Sequence, residues 1–150
     1  MATFLPQVFS GLLFFIFTVL ALLHFNWALG SKWGLKHAVP TKDKDEPLFI
    51  PGKFITALVG IGLLCFALYY LHQVGYFLPD YYDFWIFRNG GWILGVIFLI
   101  RAIGDFNYAG FFRKIKDTNF AEWDRTVYTP LCLLISMLAF FVEISKMAIL

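Results

Sequence analysis

Four stretches of this chain, roughly residues 5–29, 54–77, 84–103 and 127–148, are almost free of charge. Each is about as long as the ~20 apolar residues an α-helix needs to cross the hydrocarbon core of a bilayer. That property leaves few folds open. In lipid every backbone N–H and C=O must be satisfied within the protein, so a spanning segment is a helix or a strand of a closed barrel. The alternation over roughly ten residues that marks barrel strands is missing. The chain therefore reads as all-α: a polytopic membrane protein forming a bundle of four transmembrane helices, one domain over residues 1–150. Composition agrees, with 60% hydrophobic and 15% charged residues, where soluble domains carry about 25% charged. A net charge of +2 is too small to imply nucleic acid.

The opening "MATFLPQVFS" has no Lys or Arg, unlike a signal peptide, and the apolar run behind it exceeds the usual ~7–15 residues. It reads as a mature first helix. With four helices, loops 30–53 and 104–126 share one side of the membrane. That side carries Lys32, Lys36, Lys42, Lys44, Lys53, Arg113, Lys114, Lys116 and Arg125, against Arg88 and Lys146 on the other. Basic loops stay cytoplasmic, so both termini are expected outside. Trp27, Trp33 and Trp123 fall at the cytoplasmic boundary. Tyr69, Tyr70, Tyr76, Tyr81, Tyr82, Trp85 and Trp92 crowd the outer half, as an anchoring aromatic belt would.

Between the third and fourth spans, Tyr108, Phe111, Phe112 and Ile115 recur at i, i+3, i+4, i+7. That spacing predicts a short amphipathic helix in the headgroup layer, with Arg113, Lys114 and Lys116 toward anionic lipid. Gly104 would end the third span and Asp105 would cap the new helix. Arg101 precedes Asp105 by four, the less favourable order for a pair within one helix. A boundary turn, or a partner on another helix, explains the two charges better.

The segments "HFNWALG" (24–30), "WGL" (33–35), "RAIGDFNYAGFF" (101–112) and "DRTVYTPLCLL" (124–134) occur in this order. Together the chain resembles a family of small bacterial four-helix membrane proteins known only as a domain of unknown function. The shared pattern centres on H-x-x-W-A-L-G and I-G-D-F-x-Y-x-G-F-F, matched here by His24, Trp27, Gly30, Gly104, Asp105, Tyr108 and Gly110. The resemblance implies the bacterial inner membrane and supplies no activity.

Ionisable groups at membrane depth are expensive to place and are functional candidates by default. Threading brings His24, Trp27, Arg101, Asp105, Tyr108, Tyr128 and Thr129 into one layer near the cytoplasmic surface. They form either a polar pocket or a hydrogen-bonded network locking helix ends together. Asp105, too short to snorkel, must be held by nearby backbone N–H groups or by His24, Trp27 or Arg101 across the bundle. A second layer of His72, Gln73, Arg88, Asn89, Glu143 and Lys146 lies near the outer surface, where Glu143 can pair with Lys146 or Arg88. Gly91 and Gly95 form a G-x-x-x-G, which lets helices approach closely, within the bundle or in a homodimer. No metal set, cofactor motif or catalytic signature is present.

Three functions fit these features. The first is a non-enzymatic bundle binding a lipid, an amphiphile or a partner subunit near the cytoplasmic interface. The second is a membrane enzyme using the His24/Asp105/Arg101 layer on an amphiphilic substrate. The third is a small oligomeric transporter. The sparse polar groups favour the first, with membrane lipids, a second copy or another membrane protein as its partners.

Overall fold

The computed structural model describes residues 4–42, 46–75 and 85–147. The expected 78–83 loop lies outside the described residues, as do Tyr76, Tyr81, Tyr82 and Lys44. Among the described residues all regular structure is helical, apart from one isolated bridge between Thr41 and Pro47. The elements are α1 (Phe4–Ala28), α2 (Leu35–Ala38), α3 (Lys53–Gln73), α4 (Trp85–Ile103), α5 (Asn119–Trp123), a π-helical turn (Asp124–Tyr128) and α6 (Thr129–Met147). Three helical stretches, Phe4–Ala28, Lys53–Gln73 and Asn119–Met147, are long and apolar enough to cross a membrane. At 19 residues, α4 is ~28 Å long at the usual helical rise.

The helices pack in two close pairs, α1 with α3 and α4 with α6, which meet chiefly where α1 lies against α6. Leu13, Phe17 and Ala21 are buried at spacings of four along α1, so they share one face. Phe17 sits at the centre, stacked on Tyr70 at 5.8 Å between centroids and edge-on to Phe66 at 5.6 Å. Leu63, Ala67, Leu94, Ile135, Ala139 and Val142 complete this core. Outside it, Phe15, Leu22, Phe54, Leu58, Ile100, Met137 and Ile144 are exposed, an apolar surface suited to lipid.

α1 ends in a Schellman motif, with Gly30 N–H donating to Trp27 O (2.9 Å) and Ser31 N–H to Asn26 O (3.1 Å). The chain then turns so that Trp27 Nε1 donates to Trp33 O at 2.7 Å. Cys65 and Cys132 are both free; Cys65 is exposed on the outside of α3 rather than packed within the bundle.

The connection from α4 to α5 corrects the sequence reading. Residues 104–118 form no helix. Asp105 Oδ1 accepts from the N–H groups of Asn107 (3.0 Å), Tyr108 (2.7 Å) and Ala109 (2.9 Å), gathering them onto one oxygen. Gly110 has φ 88°, Gly104 φ 93° and Phe106 φ 63°. Gly104 and Gly110 meet backbone to backbone, where an added Cβ would collide. The chain folds back, with Phe111 N–H donating to Ala102 O (2.9 Å) and the N–H groups of Lys114 and Ile115 to Asn107 O (3.1 and 3.0 Å). The expected helical stripe is thus broken at its centre, and Phe111 and Phe112 are exposed from a compact loop.

Gly91 and Gly95 both face α6. A Cβ at Gly91 would strike the Glu143 carboxylate, and one at Gly95 the Phe140 ring. Ser136 Oγ donates to Gly95 O at 2.8 Å, fixing the approach. Gly95→Leu should therefore lower the melting temperature of the monomer in a fixed detergent, by the ~1–3 kcal/mol typical of overpacking. Unchanged melting would show that this helix pair tolerates separation.

Candidate functional site

The polar centre at the loop end of the bundle is a carboxylate that sequence reasoning passed over. Asp124 is fully buried. Its Oδ1 accepts from Arg101 Nη2 at 2.8 Å. Its Oδ2 accepts from Gly110 N–H (2.7 Å), Thr129 Oγ1 (2.9 Å) and Arg113 Nη1 (3.2 Å). Arg113 Nη1 also donates to Gly110 O at 2.6 Å, so this guanidinium buttresses the same loop.

Local chemistry puts Asp124 there. Thr118 caps α5, accepting from Ala121 N–H at 3.1 Å. Pro130 offers no N–H, and its ring crowds the carbonyl four residues back. The turn ahead of it widens, so that Thr129 N–H donates to Asp124 O five residues earlier. Thr129 therefore holds Asp124 through both backbone and side chain.

The structure divides the predicted residues between two places. His24, Trp27, Arg101 and Tyr128 line one cavity of about 920 Å³, within the usual ~300–1,000 Å³ range of ligand pockets. Its inner wall is apolar, from Leu20, Leu63, Phe98, Leu131 and Ile135; Lys32, Lys36, His37, Trp33 and Trp123 line it from the loop side. His24 Nδ1 lies 2.7 Å from Leu20 O. A carbonyl only accepts, so Nδ1 carries the proton in this bond. The His24 ring meets Trp27 edge-on at 5.0 Å.

Asp105 and Tyr108 are not among the residues lining the cavity. Asp105 is exposed and held by its own loop, the backbone alternative of the sequence reading. Slight desolvation pushes its carboxyl up, but the surrounding backbone N–H groups together outweigh this and hold it below the usual carboxylate range. Because the folded value is depressed, the loop's contribution is full above the unfolded pKa of ~3.9 and fades as pH falls through the folded value. Arg113, expected on a lipid-facing side with Lys114 and Lys116, is turned inward with its side chain 8% exposed. Lys114 and Lys116 are exposed.

At the opposite end of the bundle Glu143 is buried and pairs with Lys146 Nζ at 2.7 Å, on its own helix. Tyr69 OH donates to Glu143 Oε1 (3.0 Å) and accepts from Gly91 N–H (2.8 Å). Among the described residues, no group of three or more His, Cys, Asp and Glu is placed to hold a metal ion.

The two aspartates should separate cleanly on substitution. Asp124→Asn leaves two arginines facing a neutral amide and should cost about 3–5 kcal/mol of stability in detergent. Asp105→Ala should cost about 0.5–2 kcal/mol, as for a lost cap. Combined with His24→Ala its effect should be additive within ~0.5 kcal/mol. Strong coupling of Asp105 to His24 would contradict the separation seen here.

No curated protein and no solved structure matches this chain. The sequence model described as "Protein of unknown function (DUF3995)" matches residues 17–139, a stretch that contains the Asp124 centre and the whole cavity lining. The chain belongs to that family.

Proposed function

We propose that this protein is a four-span bundle of the bacterial inner membrane, both termini outside, that binds an amphiphile in the cavity between His24 and Tyr128. α4 supplies the fourth span: it lies along α6, and its charged residues, Arg88 and Arg101, stand near its two ends. The basic loops put the cavity at the cytoplasmic boundary. The observation that carries the reading is the cavity's two-part lining, apolar toward the bundle core and cationic toward the loops. An amphiphile has the same division.

Binding is favoured over acid–base chemistry. An imidazole and a carboxylate would have to converge within about 3 Å or through one water. Among the described residues no Asp or Glu lines the cavity, and Asp105 is committed to its own loop. Conduction by a single chain is disfavoured by the apolar layer of Phe17, Leu63, Leu94 and Ile135 between the two polar ends. The glycine face of α4 is occupied by α6, so any association with a second copy uses another surface.

Native mass spectrometry of the detergent-purified protein should find a retained amphiphile. Val59→Phe, at a half-exposed position on the cavity wall, should reduce that retention without lowering the melting temperature. Equal retention by the variant would place the amphiphile elsewhere. For orientation, a C-terminal alkaline phosphatase fusion should be active in a bacterial host and a C-terminal GFP fusion dark; the reverse would invert the threading.

A further inference from the structure

Among the described residues, the charged side chains lining the cavity are Lys32, Lys36 and Arg101, all cationic. Arg101 is only half used. Its Nη2 holds Asp124, while Nη1 is buried with no hydrogen-bond partner. A buried guanidinium N–H left unpaired is destabilising, more so than a neutral donor. Asp124 cannot relieve it: besides Arg101, its oxygens take the Gly110 N–H, Thr129 and Arg113. Two guanidiniums around one carboxylate leave a positive charge over, and among the described residues nothing acidic on the cavity wall balances it.

His37 repeats the pattern on the facing loop. Its ring lies 5.2 Å from Trp123 and its Nδ1 is buried without a partner. Lys36 precedes it. Arg101 and His37 both line the cavity, and a guanidinium N–H, like an imidazole Nδ1 in the tautomer that carries its proton there, complements an oxyanion. The apolar floor beneath excludes a free, fully hydrated ion as the best fit.

We propose that the loop end of this cavity is a subsite for the anionic headgroup, carboxylate or phosphate, of the bound amphiphile. Arg101 supplies the guanidinium donor, and Lys32 and Lys36 the rim charge. The inference rests on the amphiphile reading above and narrows it to acidic ligands. It makes Arg101 a shared residue, one edge on Asp124 and the other on the ligand, so that occupancy steadies the loop that Asp124 anchors.

Trp27, Trp33 and Trp123 line the cavity, which makes quenching by brominated chains a direct readout. The purified full chain in neutral detergent is titrated with dibrominated stearate, with the uncharged monoglyceride of the same acid, and with inorganic phosphate as competitor. Stearate should quench saturably and at least about tenfold more tightly than the monoglyceride, given two to three facing cations. Lys32→Gln with Lys36→Gln, both at exposed positions, should cut that preference to about threefold or less while melting is unchanged. Arg101→Lys, which keeps the charge but loses the fork, should weaken stearate while leaving the monoglyceride unaffected.

Equal quenching by stearate and monoglyceride would overturn the headgroup assignment and leave amphiphile binding standing. No saturable quenching by either would overturn both. Displacement of stearate by millimolar phosphate would show a free-anion site and also overturn it, as would a preference that survives the double lysine substitution.

Discussion

A buried carboxylate between two arginines is the interaction on which the loop end of this bundle depends. Removing a carboxylate from water is unfavourable by several kcal/mol unless its lone pairs are satisfied. The Asp124 carboxylate meets that demand with four hydrogen bonds, from Arg101, Gly110, Arg113 and Thr129, and a Thr129 backbone bond holds its main-chain carbonyl as well. The partners come from three local structures: the end of α4 (Arg101), the folded-back loop (Gly110 and Arg113) and the turn that leads into α6 (Thr129). The same interaction fixes where Arg101 points, and therefore what one wall of the cavity offers.

Much of the architecture was legible because lipid permits so few solutions. Long apolar runs had to be helices, and three of them are long and apolar enough to cross a membrane. Gly91 and Gly95 were legible as close-approach positions because a missing side chain on an apolar helix has few other uses. His24, Trp27, Arg101 and Tyr128 were grouped from depth alone, and they do line one cavity.

The loop between α4 and α5 was not legible, because its apolar residues happen to follow a helical period that its backbone never adopts. A carboxylate oxygen collecting three successive N–H groups, and glycines at positive φ, override periodicity. Arg113 was misplaced for the same reason. Asp124 was overlooked because it sits among polar residues ahead of the last apolar run, where a solvated charge is ordinary. The available signal was Arg101, a cation at the end of an apolar helix. Asp105, four residues on, is tied to its own loop, whereas Asp124 reaches Arg101 from beyond that loop.

The pairing of the helices bears on how the protein is made. α1 and α3 are consecutive long helices, as are α4 and α6, so each tight pair is a hairpin of sequence neighbours. Such contacts are local and form early relative to distant ones. Arg101, Gly110, Arg113, Asp124 and Thr129 all belong to the second hairpin, which carries its own latch. The cavity walls come from both. Two finished halves would then form first, and the cavity would come into being only at their docking, the last event in the chain's assembly.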